Sequence, residues 1–215
     1  YEVNSLLLEV ARRSDEWQSI LDALSSLDEV PQQVAKPVNP EQLDDGHIAV
    51  LESLDAKSTY RQLADQTTIG LFAYSRAARD LVNNGTISIV DDQRLITIAH
   101  ELANEGEQKR AIVLLQTLRD RDGSRSIDVI RGMAEVLELV GERRFASSLL
   151  LEAAKRSVLA DEALNLARTA RKLAPYDPDT LSFLRKTLVA HSPPESAELE
   201  KCTLDLVDAL IDGNM

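Results

Sequence analysis

TTIGLFAYSRAARDLVNNGTISIV, residues 67–90, is the stretch whose reading decides the fold. Leu71, Phe72, Ala78, Leu81 and Val82 recur at helical spacing, which predicts an amphipathic helix with that stripe inward. Asn84-Gly85 ends it, because glycine enters the left-handed conformation of a helix terminus without a steric penalty. Ile87, Ser88, Ile89 and Val90 alternate and are rich in β-branched side chains, so a short strand should follow. Asp91-Asp92 fits a turn, after which residues 94–98 either return as a second strand or open the next helix.

Working towards the N-terminus, Pro40 suits a first helical turn, and Leu43, Ile48, Leu51 and Leu54 mark the buried side of a helix ending near Lys57. Thr59 and Gln62 have the spacing of a capping box, which predicts a shorter helix burying Leu63 and Ala64. Three helices and a small β-hairpin over residues 40–98 make a winged helix. Residues 31–39 fall in PQQVAKPVNP, a proline-containing linker that reads as an extended tether and a domain boundary. Before it, residues 1–30 carry Leu6, Val10, Trp17, Ile20, Leu21 and Leu24 near one stripe, the mark of an amphipathic helix or of two joined near Ser14. That stripe needs a cover, so Leu6, Val10, Trp17 and Ile20 are candidate domain or oligomer contacts, with a homodimer through this helix as one outcome.

Residues 99–215 read as helices only, each of some 12–16 residues, broken at Gly106, Asp122-Gly123, Gly141, Pro175 to Pro178 and Ser192 to Pro194. A shift of 35 residues superposes Gly106 on Gly141 and Ala111 on Ala146, a period near that of tetratricopeptide repeats. In EALNLARTARKLAPYDPDTLSFL, Ala163, Ala167 and Ala170 supply small residues for close packing, Pro175 stops a helix and Asp177-Pro178 opens the next. The fold class expected is therefore mainly α: a winged helix followed by a tetratricopeptide-like α-solenoid of six or seven helices, with a plain helical bundle as the alternative. SLLLEVARRS at 5–14 and SLLLEAAKRS at 148–157 are nearly the same string, which we read as convergence on one burial demand rather than duplication.

The run LLLEVARRSDEW, its Ile-Leu stripe, the Leu-Asp-Glu-Val-Pro exit, the proline linker and NNGTISIV together resemble the C-terminal end of the bacterial PATAN domain (PatA N-terminal type) and the winged-helix segment that often follows it. The similarity covers roughly residues 3–90, and its most specific element is Arg13, Asp15, Glu16 and Trp17. It implies a bacterial cytoplasmic signalling protein that acts through protein–protein contacts and has no catalytic site. The body of that domain would precede Tyr1, so the chain reads as a piece of a longer protein whose first helix packs on the solenoid or on a second copy.

Lys and Arg total 24 against 36 Asp and Glu, a net charge of −12 that repels polyphosphate and anionic membrane unless a local patch overrides it. The single cysteine, Cys202, rules out an internal disulfide and a multi-thiolate metal site and fits a reducing cytoplasm. His47, His100 and His191 are scattered, and no HExxH, GxSxG, GxxxxGK or GxGxxG string occurs. The expectation is a non-enzyme without metal or cofactor. If the helix after residue 70 reads DNA, Tyr74, Ser75, Arg76 and Arg79 face the groove. Opposing that, residues 58–90 are almost neutral and the expected wing tip carries Asp91 and Asp92 where a phosphate contact wants cations. Arg119, Arg121, Arg125 and Arg131 either receive an acidic partner or complement helix-end carbonyls. The expected function is a non-catalytic regulatory interaction module with a protein partner; the alternative is a transcriptional regulator that binds DNA through the winged helix.

Overall fold

A computed structural model describes residues 3–37, 40–121, 126–191 and 196–212, the side chains of 3–6, 42 and 212 excepted. The chain is mainly helical, and among the described residues its β structure is one two-stranded sheet. Contacts divide it into two units, residues 1–98 with 116–120, and residues 99–115 with 121–215.

In the first unit, α1 is one continuous helix, Val3–Leu24, with no break at Ser14. Strand β1, Pro31–Gln33, follows, then a 3-10 turn at Pro40–Gln42 and α2, Asp45–Ser53. Asp44, not Pro40, starts that helix: its carboxylate accepts the His47 N–H at 3.0 Å, and an N-cap carboxylate outcompetes proline as a start signal. Thr59 and Gln62 form the expected capping box on α3, Tyr60–Gln66, and Leu63 and Ala64 are buried. Two further orphan N–H groups of α3, those of Tyr60 and Arg61, donate to the Glu29 and Leu27 carbonyls at 3.0 Å, which docks the α1–β1 connection on the helix start.

Helix α4, Leu71–Asn83, ends in a Schellman motif: the Thr86 N–H reaches Leu81 O and the Gly85 N–H reaches Val82 O, with Gly85 at φ +73°. Strand β2, Ile87–Ile89, then pairs antiparallel with β1, Pro31 opposite Ile89 and Gln33 opposite Ile87. This corrects three expectations. The β-hairpin does not form, because Asp91 accepts the Arg94 N–H at 2.8 Å and so caps α5, Asp92–Asn104, instead of turning the chain back. Nor is 31–39 wholly a tether: Pro31 to Gln33 supply the strand that β2 lacked, and proline is tolerated at the first position of such an edge. The domain boundary expected there is absent as well, since Ile20 and Leu24 before it and Val50, Leu63, Tyr74 and Leu81 after it share one core.

In the second unit, the end of α5 turns at Gly106 into α6, Gln108–Asp120, whose last residues belong to the first unit. Helices α7, Ile127–Leu139, and α8, Arg143–Arg156, start 35 residues after α5 and α6 respectively. Both pairs turn through the same device: the Glu107 N–H reaches Leu102 O and the Glu142 N–H reaches Leu137 O, each at 2.8 Å past a left-handed glycine. Helices α9, Ala160–Leu173, α10, Pro178–His191, and α11, Ala197–Asp212, follow. The breaks expected at 122–123 and 192–194 lie outside the described residues. Ala163, Ala167 and Ala170 are buried, and Asp177 caps α10 by accepting the Thr180 N–H at 2.8 Å.

Helix α8 packs against both α7 and α9, and α10 against α9 and α11. Polar groups lock these contacts: Ser147 Oγ donates to the Ala170 carbonyl at 2.9 Å in the buried α8–α9 seam. Arg168 forks onto both oxygens of Glu198, and Arg171 reaches Asp205, tying α9 to α11. The guanidinium of Arg168 holds the Glu198 carboxyl below its ordinary pKa. Both groups of that pair are a third or more exposed, so solvent screens much of its worth.

Candidate interaction site

Helix α4 turns its Tyr74, Ala77, Ala78 and Leu81 face into the first core, since small alanines let neighbouring helices close over it. The alternative assignment of groove-reading residues therefore divides. Tyr74 is fully buried, its hydroxyl 2.8 Å from Ser53 Oγ, and Ser75 is fully buried too, so neither faces a DNA groove. Burial raises the Tyr74 pKa to about 12. Arg76 is exposed, and Arg79 is half-buried with its Nε and Nη2 donating to Asp80 Oδ1 at 2.9 and 2.8 Å. Of the four residues taken as groove-facing, Arg76 alone is exposed, and Tyr74 and Ser75, directly before it, fall on the core side.

On α1 the expected contact stripe changes character along its length. Ile20 is buried, and Trp17 stacks at 5.6 Å between ring centroids on Phe72 of α4. Over this half the helix thus packs within its own unit. Val10 is 57% exposed, next to exposed Leu7 and Leu8, and borders an apolar groove with Trp17, Leu71 and Phe72. The side chain of Leu6 lies outside the described residues. Glu9, Arg12, Arg13 and Glu16 form an ion-pair ladder along this stretch, and the two arginines hold the Glu9 carboxyl down to about 2.

The titratable residues singled out from sequence take structural places. His47 completes the Asp44 capping box, and His100 accepts from Asn104 Nδ2 at 2.9 Å. Cys202 is buried, its thiol donating to Leu181 O at 3.4 Å, and desolvation raises its pKa. Among the arginines expected to cluster, Arg119 donates to neighbouring Asp120, Arg131 reaches Glu162 of α9 at 3.8 Å, and Arg125 lies outside the described residues. No group of three or more His, Cys, Asp or Glu among the described residues is placed to hold a metal. No described helix is long and apolar enough to cross a membrane.

One groove unites features that sequence reasoning did not connect. Between α7 and α9, over Leu150 of α8, a cleft of about 330 Å³ has a floor of Ala134, Leu150 and Leu166. Its α7 wall carries Arg131, Glu135 and Glu138, and its α9 wall Asn165, Thr169 and Leu173. The Arg131–Glu162 contact spans it near the helix starts. The walls come from helices distant in sequence, so no local motif could have signalled the cleft. Such a volume admits one or two side chains of a ligand, and an apolar floor with a polar rim is a lining common to clefts that hold small ligands or side chains. No protein family, curated protein or solved structure matches this chain.

Proposed function

We propose that this chain is a non-catalytic regulatory protein–protein interaction module of a bacterial signalling protein, in which a winged-helix-like first unit is joined to a tetratricopeptide-like helical array. The observation that carries the reading is the 35-residue recurrence of the α5–α6 pair in α7–α8 with equivalent glycine turns, and α9 adds the second wall of a groove beside α7. The likeness to the end of a PATAN domain adds a cytoplasmic signalling context, carried by Arg13, Asp15, Glu16 and Trp17. Exposed Leu7, Leu8 and Val10 are where a homodimer through α1 would form.

The alternative, a transcriptional regulator, rests on exposed Arg76 alone. Buried Tyr74 and Ser75, Arg79 held by Asp80, and the missing hairpin all weigh against it. Selection from a random peptide library on the immobilised chain should enrich sequences that compete with one another. Random duplex DNA should give no salt-sensitive anisotropy change. Duplex binding that is lost in Arg76→Glu with Arg79→Glu, without any enriched peptide, overturns the proposal.

A further inference from the structure

We infer that the α7–α9 groove takes an extended, lysine- or arginine-bearing peptide segment of a partner protein, an inference that rests on the interaction-module reading above. Charge is the first argument. Glu135 and Glu138 stand one turn apart on the α7 wall, both are exposed, and no cation among the described residues pairs with either. Three acids of α9 and α11 are by contrast engaged between helices: Glu162 by Arg131, Glu198 by Arg168, Asp205 by Arg171. The two groove carboxylates are left to solvent beside an apolar floor.

Shape and polarity narrow the occupant. Leu150 and Leu166 form an apolar floor that suits the methylene stem of lysine or arginine, a side chain that lays its stem on apolar surface and leaves its charge at the rim. Alternate side chains of an extended peptide recur at about 6.6 Å, and the rise from Glu135 to Glu138 is about 4.5 Å, so two successive same-face cations reach the pair of flexible carboxylates. Across the cleft, the Asn165 carboxamide has no described partner and offers both a donor and an acceptor to a peptide backbone. Thr169, one turn on, directs its hydroxyl proton to the Asn165 carbonyl at 2.9 Å, which leaves the oxygen as an acceptor. The acidic chain as a whole, at −12, steers a cationic segment inward.

The test is a fluorescence-anisotropy titration of a labelled peptide alternating lysine and alanine, with a glutamate–alanine peptide as control. The lysine peptide should bind the wild type, more weakly as salt rises, and the glutamate peptide should not. Glu135→Lys with Glu138→Lys should weaken binding at least about tenfold, and Glu135→Gln with Glu138→Gln by less. Asn165→Ala should weaken it without changing the salt dependence. Glu200→Lys with Asp208→Lys makes the same charge change on exposed positions of α11 and should leave affinity unaltered. Absence of wild-type binding at low salt, or an equal loss in the α11 variant, overturns the inference. In either case the module reading survives if the random library still enriches peptides, and falls only if that selection fails as well.

Discussion

At the scale of single residues, two buried tyrosines make opposite predictions. The Tyr60 hydroxyl sits in the first core with no hydrogen-bond partner, and burial raises its pKa, with Tyr74 and Glu29 adding to the effect. An unsatisfied buried hydroxyl costs about 1–3 kcal/mol, so Tyr60→Phe should leave stability unchanged or raise it by about 1 kcal/mol. Tyr74→Phe instead removes a bond to Ser53, whose hydroxyl still donates to Val50 O, and should lose about 0.5–1.5 kcal/mol. Urea midpoints at equal m-value decide both. Cys202, buried and with its thiolate disfavoured by desolvation, should resist a thiol reagent in the native state and react only on unfolding.

The turns and caps make their predictions at the scale of elements. Gly141 has φ +88°, and a Cβ built there meets nothing within 4 Å, so Gly141→Ala is penalised by the backbone alone, about 1–2 kcal/mol. The equivalent Gly106→Ala should cost a similar amount if the two helix pairs are one repeated device, and thermal denaturation of both variants checks this. Helix α1 gives a pH test. Because the Glu9 carboxyl is lowered from 4.5 to about 2, its contribution is complete above pH 4.5 and is lost as the pH falls towards 2. Helical chemical shifts of residues 7–13 should therefore decay over that range, and high salt should produce part of the same loss at neutral pH. A pH-independent signal would show that the ion-pair ladder does not hold this stretch.

For the whole molecule, the net charge of −12 predicts weak contact with any polyanion, and the duplex titration tests that directly. The glycine stops, the Thr59 capping box and the Asp177-Pro178 helix start were legible in the sequence, because each is a local matter of one turn of backbone and its nearest side chains, whereas the break between α8 and α9 at Ser157 to Leu159, marked by neither glycine nor proline, was not. Strand pairing was not: β2 finds β1 more than fifty residues away, and nothing local to ISIV distinguishes that partner from residues 94–98. The same holds for the groove, whose walls meet only once α8 is in place. SLLLEVARRS and SLLLEAAKRS put the distinction most plainly. Leu7 and Leu8 are 60% and 73% exposed, whereas their counterparts Leu150 and Leu151 are 2% and 5% exposed. The sequence by itself determined that both strings are helical, since helix formation depends on spacing and propensity within a few residues. Only the tertiary structure decided which is core, because burial depends on neighbours that the rest of the chain brings, and α8 has α7 and α9 while the start of α1 has water.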